Sequence, residues 1–386
     1  MSKCAKILSC CFVLVFLLIT DVRAMDTTES ADALYDTQSL ENSLNLSAMY
    51  DALPEEAYEI LETMGIKDID ALTLSEISAT SVLQGIVKVA KSQSKASFAT
   101  LPVLVSVLLL YALFDGIGQN FVNTGTKEVL SVVSALCISC ALAIPVTQII
   151  ETAAGTITVA SDFLLAYIPV MVAVLISCGK SISGAGYYSL MVAVAQGISQ
   201  LSAKVLTPML NVFLGVSFCC AVAPSVHIDG LTESFSKLIK WMLSFSFTIF
   251  SALLTFRTLI STSIDNVSTR AVKYTMSSFI PVVGAALSEA YKTVQGSITI
   301  LKNGIGVFVI FAVSAVFLPV IVKLLMWLFA ISLSKTVAKV LNLSVPLSML
   351  SGVSTVLSVL FAIIICIMAL FIISTALIIT VGGNGI

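Results

Sequence analysis

Ser278-Phe279-Ile280-Pro281-Val282-Val283-Gly284, continuing past Glu289, Lys292, Gln295, Thr299 and Lys302 to Asn303-Gly304-Ile305-Gly306, is the stretch on which the fold turns. It closes the one conspicuously polar region, Arg257 to Gly306, of a chain that is otherwise almost unbroken apolar sequence from Leu101 to Ile386. Lipid tolerates polar side chains and irregular backbone only where protein or a water-filled cavity shields them. The reading is an all-α fold: a polytopic transmembrane helical bundle of about 7–8 spans, with a Pro/Gly-broken amphipathic or re-entrant helix inside it. Pro281 and Gly284 make the break, and the polar residues after it recur every three to four positions, on one helix face. Glu289 and Lys292 are one turn apart and able to pair. Asn303, Gly304 and Gly306 are expected to end this helix before the next span. Two placements stay open: a helix lying in the outer interface, and a cavity-lining element, which the break and the mixed charge fit better.

Composition agrees. Of the 386 residues, 58% are hydrophobic and 11% charged, against about 25% charged in soluble domains, and the mean hydropathy is +1.05. A net charge of −2 gives no basic footprint for nucleic acid. With His227 the single histidine, catalytic triads and His-based metal sites lose their raw material, and no catalytic role, cofactor or metal is expected.

Residues 1–24 have the parts of a secretory signal: Lys3 and Lys6, an apolar run from Ile7 to Ile19, and the small-residue site Val22-Arg23-Ala24. Cleavage after Ala24 and retention as an anchor are both open, and either sends the next segment across the membrane. Residues 25–97 hold more than half of the chain's 22 acidic residues and read as an exported helical segment. In it, Pro54, Glu55 and Glu56 suit a helix N-terminus. Residues 98–386 form the membrane domain.

Stretches of spanning length fall near 98–116, 129–150, 157–178, 186–203, 205–224, 240–260, 305–330 and 350–380. An exported N-terminus puts Lys127, Lys180, Lys237, Lys240, Lys335 and Lys339 in cytoplasmic loops, in agreement with the positive-inside tendency, whereas Arg270, Lys273, Lys292 and Lys302 fall on the outer side or within the membrane, against it. Gln196, Gln200 and Lys204, spaced by four, share one helix face that lipid would penalise. They read either as interhelical glue or as a pathway lining. Ile168-Pro169-Val170 recurs as Ile280-Pro281-Val282, and at the same offset Lys180 matches Lys292 and Gly184 matches Gly296. This marks 129–224 and 236–335 as candidate repeat halves of the kind transport folds use. Cys137-Ile138-Ser139-Cys140 has redox spacing but sits in an apolar span, where helix packing is the better account. Gly179-Lys180-Ser181 lacks the upstream glycine of a phosphate loop, so nucleotide energy would come from a partner.

The run Phe279 to Gly284, followed by Thr293-Val294, Gly296, and Leu301-Lys302-Asn303 with Gly304 and Gly306, resembles the signature stretch of the stage III sporulation protein AE family. So does the layout of signal, acidic exported region and polytopic body. The resemblance implies a multi-pass protein of the mother-cell membrane surrounding the forespore, its N-terminal segment extracytoplasmic. It also implies partners: sibling stage III sporulation proteins, including a cytoplasmic ATPase and ring-forming membrane proteins, and a forespore-side partner that completes an intercellular channel or secretion-like complex. The complex would support late forespore development, and a homo-oligomer is compatible with it. The family supplies no catalytic residue.

Candidate pathway or gating residues are therefore Gln196, Gln200, Lys204, Pro281, Gly284, Glu289, Lys292, Gly296, Lys302, Asn303 and Gly304. Two other functions compete with the conduit. One is a non-conducting membrane platform for ring-forming partners. The other is a stand-alone solute transporter, for which Glu151 and Asp162, near expected span ends, are the ion-coupling candidates.

Overall fold

A computed structural model describes residues 47–66, 79–121, 124–222, 229–279 and 284–380. All of its regular structure is helical: α1 (Ser47–Asp51), α2 (Glu55–Thr63), α3 (Ala79–Phe121), α4 (Thr124–Ser177), α5 (Ser181–Leu201), a π-helical turn (Ser202–Leu206), α6 (Thr207–Val222), α7 (Asp229–Phe279), α8 (Gly284–Val340) and α9 (Ser344–Thr380). The expected signal at 1–24, the break at Pro281 and His227 lie outside the described residues.

Among the described residues, five helical stretches are long and apolar enough to cross a membrane: Ala135–Ser177, Ser181–Cys219, Phe247–Ser268, Thr293–Val340 and Ser344–Thr380. A shorter apolar stretch, Leu101–Leu113, lies in α3 at the position of the expected span 98–116. The expected spans 129–150 and 157–178 are the two ends of one continuous helix, α4. Such a helix cannot turn back, so the two do not count as separate crossings. The residues between them, Glu151 to Thr156, contain no proline, and Thr152 and Thr156 return their hydroxyls to the carbonyls of Gln148 and Thr152.

Continuity also replaces the expected helix end at Asn303-Gly304-Ile305-Gly306, which lies inside the 57-residue α8. In an apolar medium each backbone amide keeps its helical bond, because no water waits to receive it. Glycine there serves packing instead. A Cβ on Gly306 would run into the side chain of Ile379 on α9, and one on Gly352 would come within 2.9 Å of Ser217 on α6. These two glycines let α9 lie close to both neighbours, the small-residue device by which membrane helices gain van der Waals contact.

Two tight turns set the topology. At the end of α4, Gly179 takes φ +75° while Lys180 N–H donates to Leu175 O and Gly179 N–H to Ile176 O. At the end of α8, Asn342 takes φ 56° while Leu343 N–H donates to Ala338 O. Both left-handed residues satisfy last-turn carbonyls and fold the next helix straight back. The hairpins α4–α5 and α8–α9 supply most of the core: Phe163, Tyr167 and Met171 from α4, Phe308 and Phe317 from α8, Val356 and Phe371 from α9. The rings of Phe317 and Phe371 lie 6.4 Å apart.

α5 and α6 are joined by the π turn instead of a loop, and Pro208 explains it. Proline has no N–H for the carbonyl of Lys204 and its ring crowds that carbonyl, so the helix widens by one residue. In the widened turn the Ser202 carbonyl accepts from both the amide and the hydroxyl of Thr207.

The acidic segment begins as the sequence requires, with Pro54 as the N-cap of α2 and Glu55 and Glu56 in its first turn. It does not stand apart from the bundle. Ala57, Ile60 and Leu61 are buried, Tyr50 meets Phe308 edge-on at 5.4 Å, and Lys88 donates to the Thr63 hydroxyl at 3.0 Å. The expected boundary at 97/98 falls inside α3.

Candidate functional site

The described part of the bundle carries one deeply buried polar cluster, and the α4–α5 turn is its centre. The turn brings Cys178 and Lys180 against α7, which presents Asp265 and Asn266, and against α8, which presents Gln295, Thr299 and Lys302. Lys302 is 1% exposed, Asp265 2% and Lys180 5%.

Each contact has a local cause. Lys180 is the N-cap of α5 but makes no side-chain cap bond, leaving the first amides of that helix needing acceptors. Asp265 reaches across from α7 and accepts from Ile182 N–H at 3.1 Å and Ser183 N–H at 2.8 Å. A capping carboxylate normally comes from the helix's own chain; here a separate helix provides it, so capping α5 also fixes α7. A carboxylate at a helix N-terminus is favoured by the aligned peptide dipoles as well as by the two bonds. Lys180 Nζ donates to Asn266 Oδ1 beside it. From α8, Gln295 Nε2 donates to the carbonyl of Cys178 at 2.9 Å, satisfying a group in the last turn of α4.

Burial raises the pKa of the Cys178 thiol, while Lys302, a hydrogen bond from Thr299 and Lys180 pull it back in part. The thiol therefore stays protonated near neutrality, the slowly reacting form. Two lysines around one carboxylate leave the cluster net positive in formal charge. Buried charges of this kind persist only with good partners, and deleting one strands the rest. The arrangement is suited to holding four helices in register and to stabilising negative charge nearby.

The sequence-derived candidates divide. Lys302 is in the cluster. Asn303 next to it is half-buried with Oδ1 unpartnered among the described residues, and Gly304 is buried. Gly296 is exposed and a Cβ there would meet nothing. Gly284 opens α8. The side chains of Glu289 and Lys292, and Pro281 altogether, lie outside the described residues. Gln196, Gln200 and Lys204 are exposed on α5 and the π turn and are not part of the cluster. The echoed positions have unlike settings, since Lys180 stands in a turn and Lys292 inside a helix.

Sequence reasoning misses Asp265, Asn266 and Cys178. The available signal is an acid within the polar run after Arg257, but no periodicity links it to an amide on another helix. Cys137 and Cys140 are free thiols.

Long apolar helices, tight hairpins and a polar cluster shielded inside them define a multi-pass helical membrane protein. Residues 68–382 match the family model described as stage III sporulation protein AE, and the chain belongs to that family. It is also similar to the stage III sporulation protein AE of Bacillus subtilis (strain 168), with 22% identity over 284 residues that cover 72% of this chain and 71% of the relative. No solved structure matches the chain.

Proposed function

We propose that this chain is the polytopic membrane component of a sporulation-specific intercellular channel or secretion-like complex between mother cell and forespore. It would sit in the mother-cell membrane around the forespore with its N-terminal segment outside the cytoplasm. Its partners would be sibling stage III proteins, including a cytoplasmic ATPase and ring-forming membrane proteins, and a forespore-side protein. The observation that carries this reading is the family match, which begins within the acidic segment at residue 68, runs through α9 and so takes in every helix of the polar cluster. On this reading the chain performs no bond chemistry and binds no cofactor; it positions helices, and an associated ATPase or a gradient supplies direction.

One observation favours the platform as a second reading. The cleft between α5 and α7, lined by Ser183, Tyr187, Arg257 and Ser261, has room for about one water, and the buried cluster beside it ties helices together without opening a passage. A wider cleft of about 300 Å³ lies between α2, α4 and α8, near Thr152, Pro319 and Lys323.

The test is replacement of the native gene by Lys302→Met or by charge reversal at Glu289 and Lys292 in sporulating cells. A conduit component assembles with its partners while late forespore reporter expression fails. Loss of partner co-purification identifies a platform, and normal spores with a clean deletion of the gene would sink both readings.

A further inference from the structure

The α4–α5 hairpin exposes two unlike polar stripes in apolar helices. On α4, Glu151 and Asp162 are exposed, and their spacing of eleven places them within about 20° of one another around the helix. On α5 and the π turn, Gln196, Gln200 and Lys204 are exposed. Because i→i+5 bonding winds more residues into each turn, the π turn offsets part of the drift that four-residue spacing accumulates, and keeps Lys204 close to the line of the two glutamines. Among the described residues, none of these five side chains has a hydrogen-bond or ion-pair partner, although α4 and α5 pack on each other.

The two stripes lie at matching heights. Counted from the shared turn at about 1.5 Å per residue, Asp162 and Gln196 each lie about 24 Å along their helices, Lys204 about 36 Å and Glu151 about 40 Å. Of the charged groups Asp162 falls inside the roughly 30 Å apolar depth counted from the turn, where an unpartnered charge costs up to about 2.5–3.5 kcal/mol on insertion scales; Glu151 and Lys204 lie together at its far edge. An unrelated partner would have to offer a basic face for one stripe and an acidic face for the other at these same heights. A second copy of this chain has both by construction.

We propose that copies of this chain associate head to tail, the Glu151/Asp162 stripe of α4 in one copy against the Gln196/Gln200/Lys204 stripe of α5 in the next. Asp162 then accepts from a glutamine amide within the apolar depth, and Glu151 pairs with Lys204 about one membrane thickness from the turn. The interface is heterologous, so it repeats around a closed ring if the rotation per copy closes and runs open if it does not. It holds whether or not the assembly conducts.

The experiment uses the full chain, without its native cysteines, in lipid nanodiscs large enough for several copies. Gly155 and Leu201 are exposed, lie beside the two stripes at nearly equal heights and are not themselves in the polar contacts. Chains carrying Gly155→Cys are mixed with chains carrying Leu201→Cys and treated with a short bis-maleimide. The expected result is cross-linked dimer in the mixture, a ladder when both cysteines are on one chain, and monomer for either variant alone. Lys204→Glu should weaken association about tenfold, and adding Glu151→Lys should restore it, which shows that Lys204→Glu did not act by misfolding. The uncharged Lys204→Gln should fall between. Absence of cross-links in the mixture, cross-linking of either variant with itself, or indifference to Lys204→Glu would each overturn the proposal.

Discussion

The α8–α9 hairpin and α7 solve the same problem in opposite ways. In the apolar stretches of α8 and α9, 61% of the most apolar window is buried inside the protein; in α7 it is 11%. α9 is held by close packing on all sides, with Gly306 and Gly352 admitting its neighbours. α7 turns Trp241, Phe245, Leu253, Phe256 and Ile260 outward, packs on α9 and α5 along a narrower side that buries Ile239 and Leu254, and adds polar ties through Asp265 and Asn266. Lipid is as apolar as leucine, so burying a side chain against another helix gains little from water release. A helix in that setting is fixed by dense contact or by a few polar bonds, and this molecule relies chiefly on contact at α8–α9 and adds polar bonds at α7.

The contrast meets its most severe test at Asp265. Asp265→Ala removes the cap of α5 and leaves the Ile182 and Ser183 amides without their acceptor, an expected loss of about 1–3 kcal/mol, measured as reversible unfolding in mixed micelles. Asp265→Asn, which keeps the shape, should lose less; if both variants unfold like wild type, polar bonds do not hold α7. On the packed side, Gly306→Val drives a branched side chain into Ile379 and should cost about 1–3 kcal/mol while leaving the cluster intact. Cross-linking of α7 to α5 through cysteines at Ser261 and Gly186 would report that independence, and loss of the cross-link in Gly306→Val would show the two sides to be one cooperative unit.

Smaller effects refine the contrast. Pro208→Ala restores an amide that can bond the Lys204 carbonyl, which should convert the π turn to α-helix and rotate Lys204 out of line. The change is read as a shift in labelling of a cysteine at that position, with stability altered by about 1 kcal/mol or less. The raised Cys178 thiol predicts slow alkylation at neutral pH, and slower still in Lys302→Met, because that lysine lowers the pKa. Since the folded state keeps this proton longer than the unfolded chain, the contribution to stability is complete below the ordinary thiol pKa and is lost as pH climbs through the folded value. At the bottom of the scale, Phe245→Ala on the outward face of α7, where the ring stacks on Trp241 of the same helix, should change stability by about 0.5 kcal/mol or less.

Individual residues mark how far the chain is legible before it folds. The helix start at Pro54-Glu55-Glu56 is legible because capping is local, and Lys302 stands out as a cation in an apolar run. The expected end at Asn303 to Gly306 fails because glycine weakens helices where water competes for the backbone, and that competition is absent in lipid. The expected spans 186–203 and 205–224 read as two helices, yet a π turn ahead of Pro208 carries one into the other, with Thr207 bonding the Ser202 carbonyl. Glu151 and Asp162 read as span ends; one continuous helix instead places both within its apolar stretch.

Helical structure and a membrane setting are fixed in the sequence alone, because its apolar runs leave the backbone no other way to satisfy its own hydrogen bonds. The family is written there too, through residues 279–306 and the layout around them. Which polar groups meet is settled only by folding. Asp265 lies on a different helix from the Ile182 and Ser183 amides it caps, and no periodicity encodes that distance. Burial of Lys302 beside the α4–α5 turn likewise depends on how α7 and α8 pack, since a buried charge takes whichever partner three-dimensional packing brings to it.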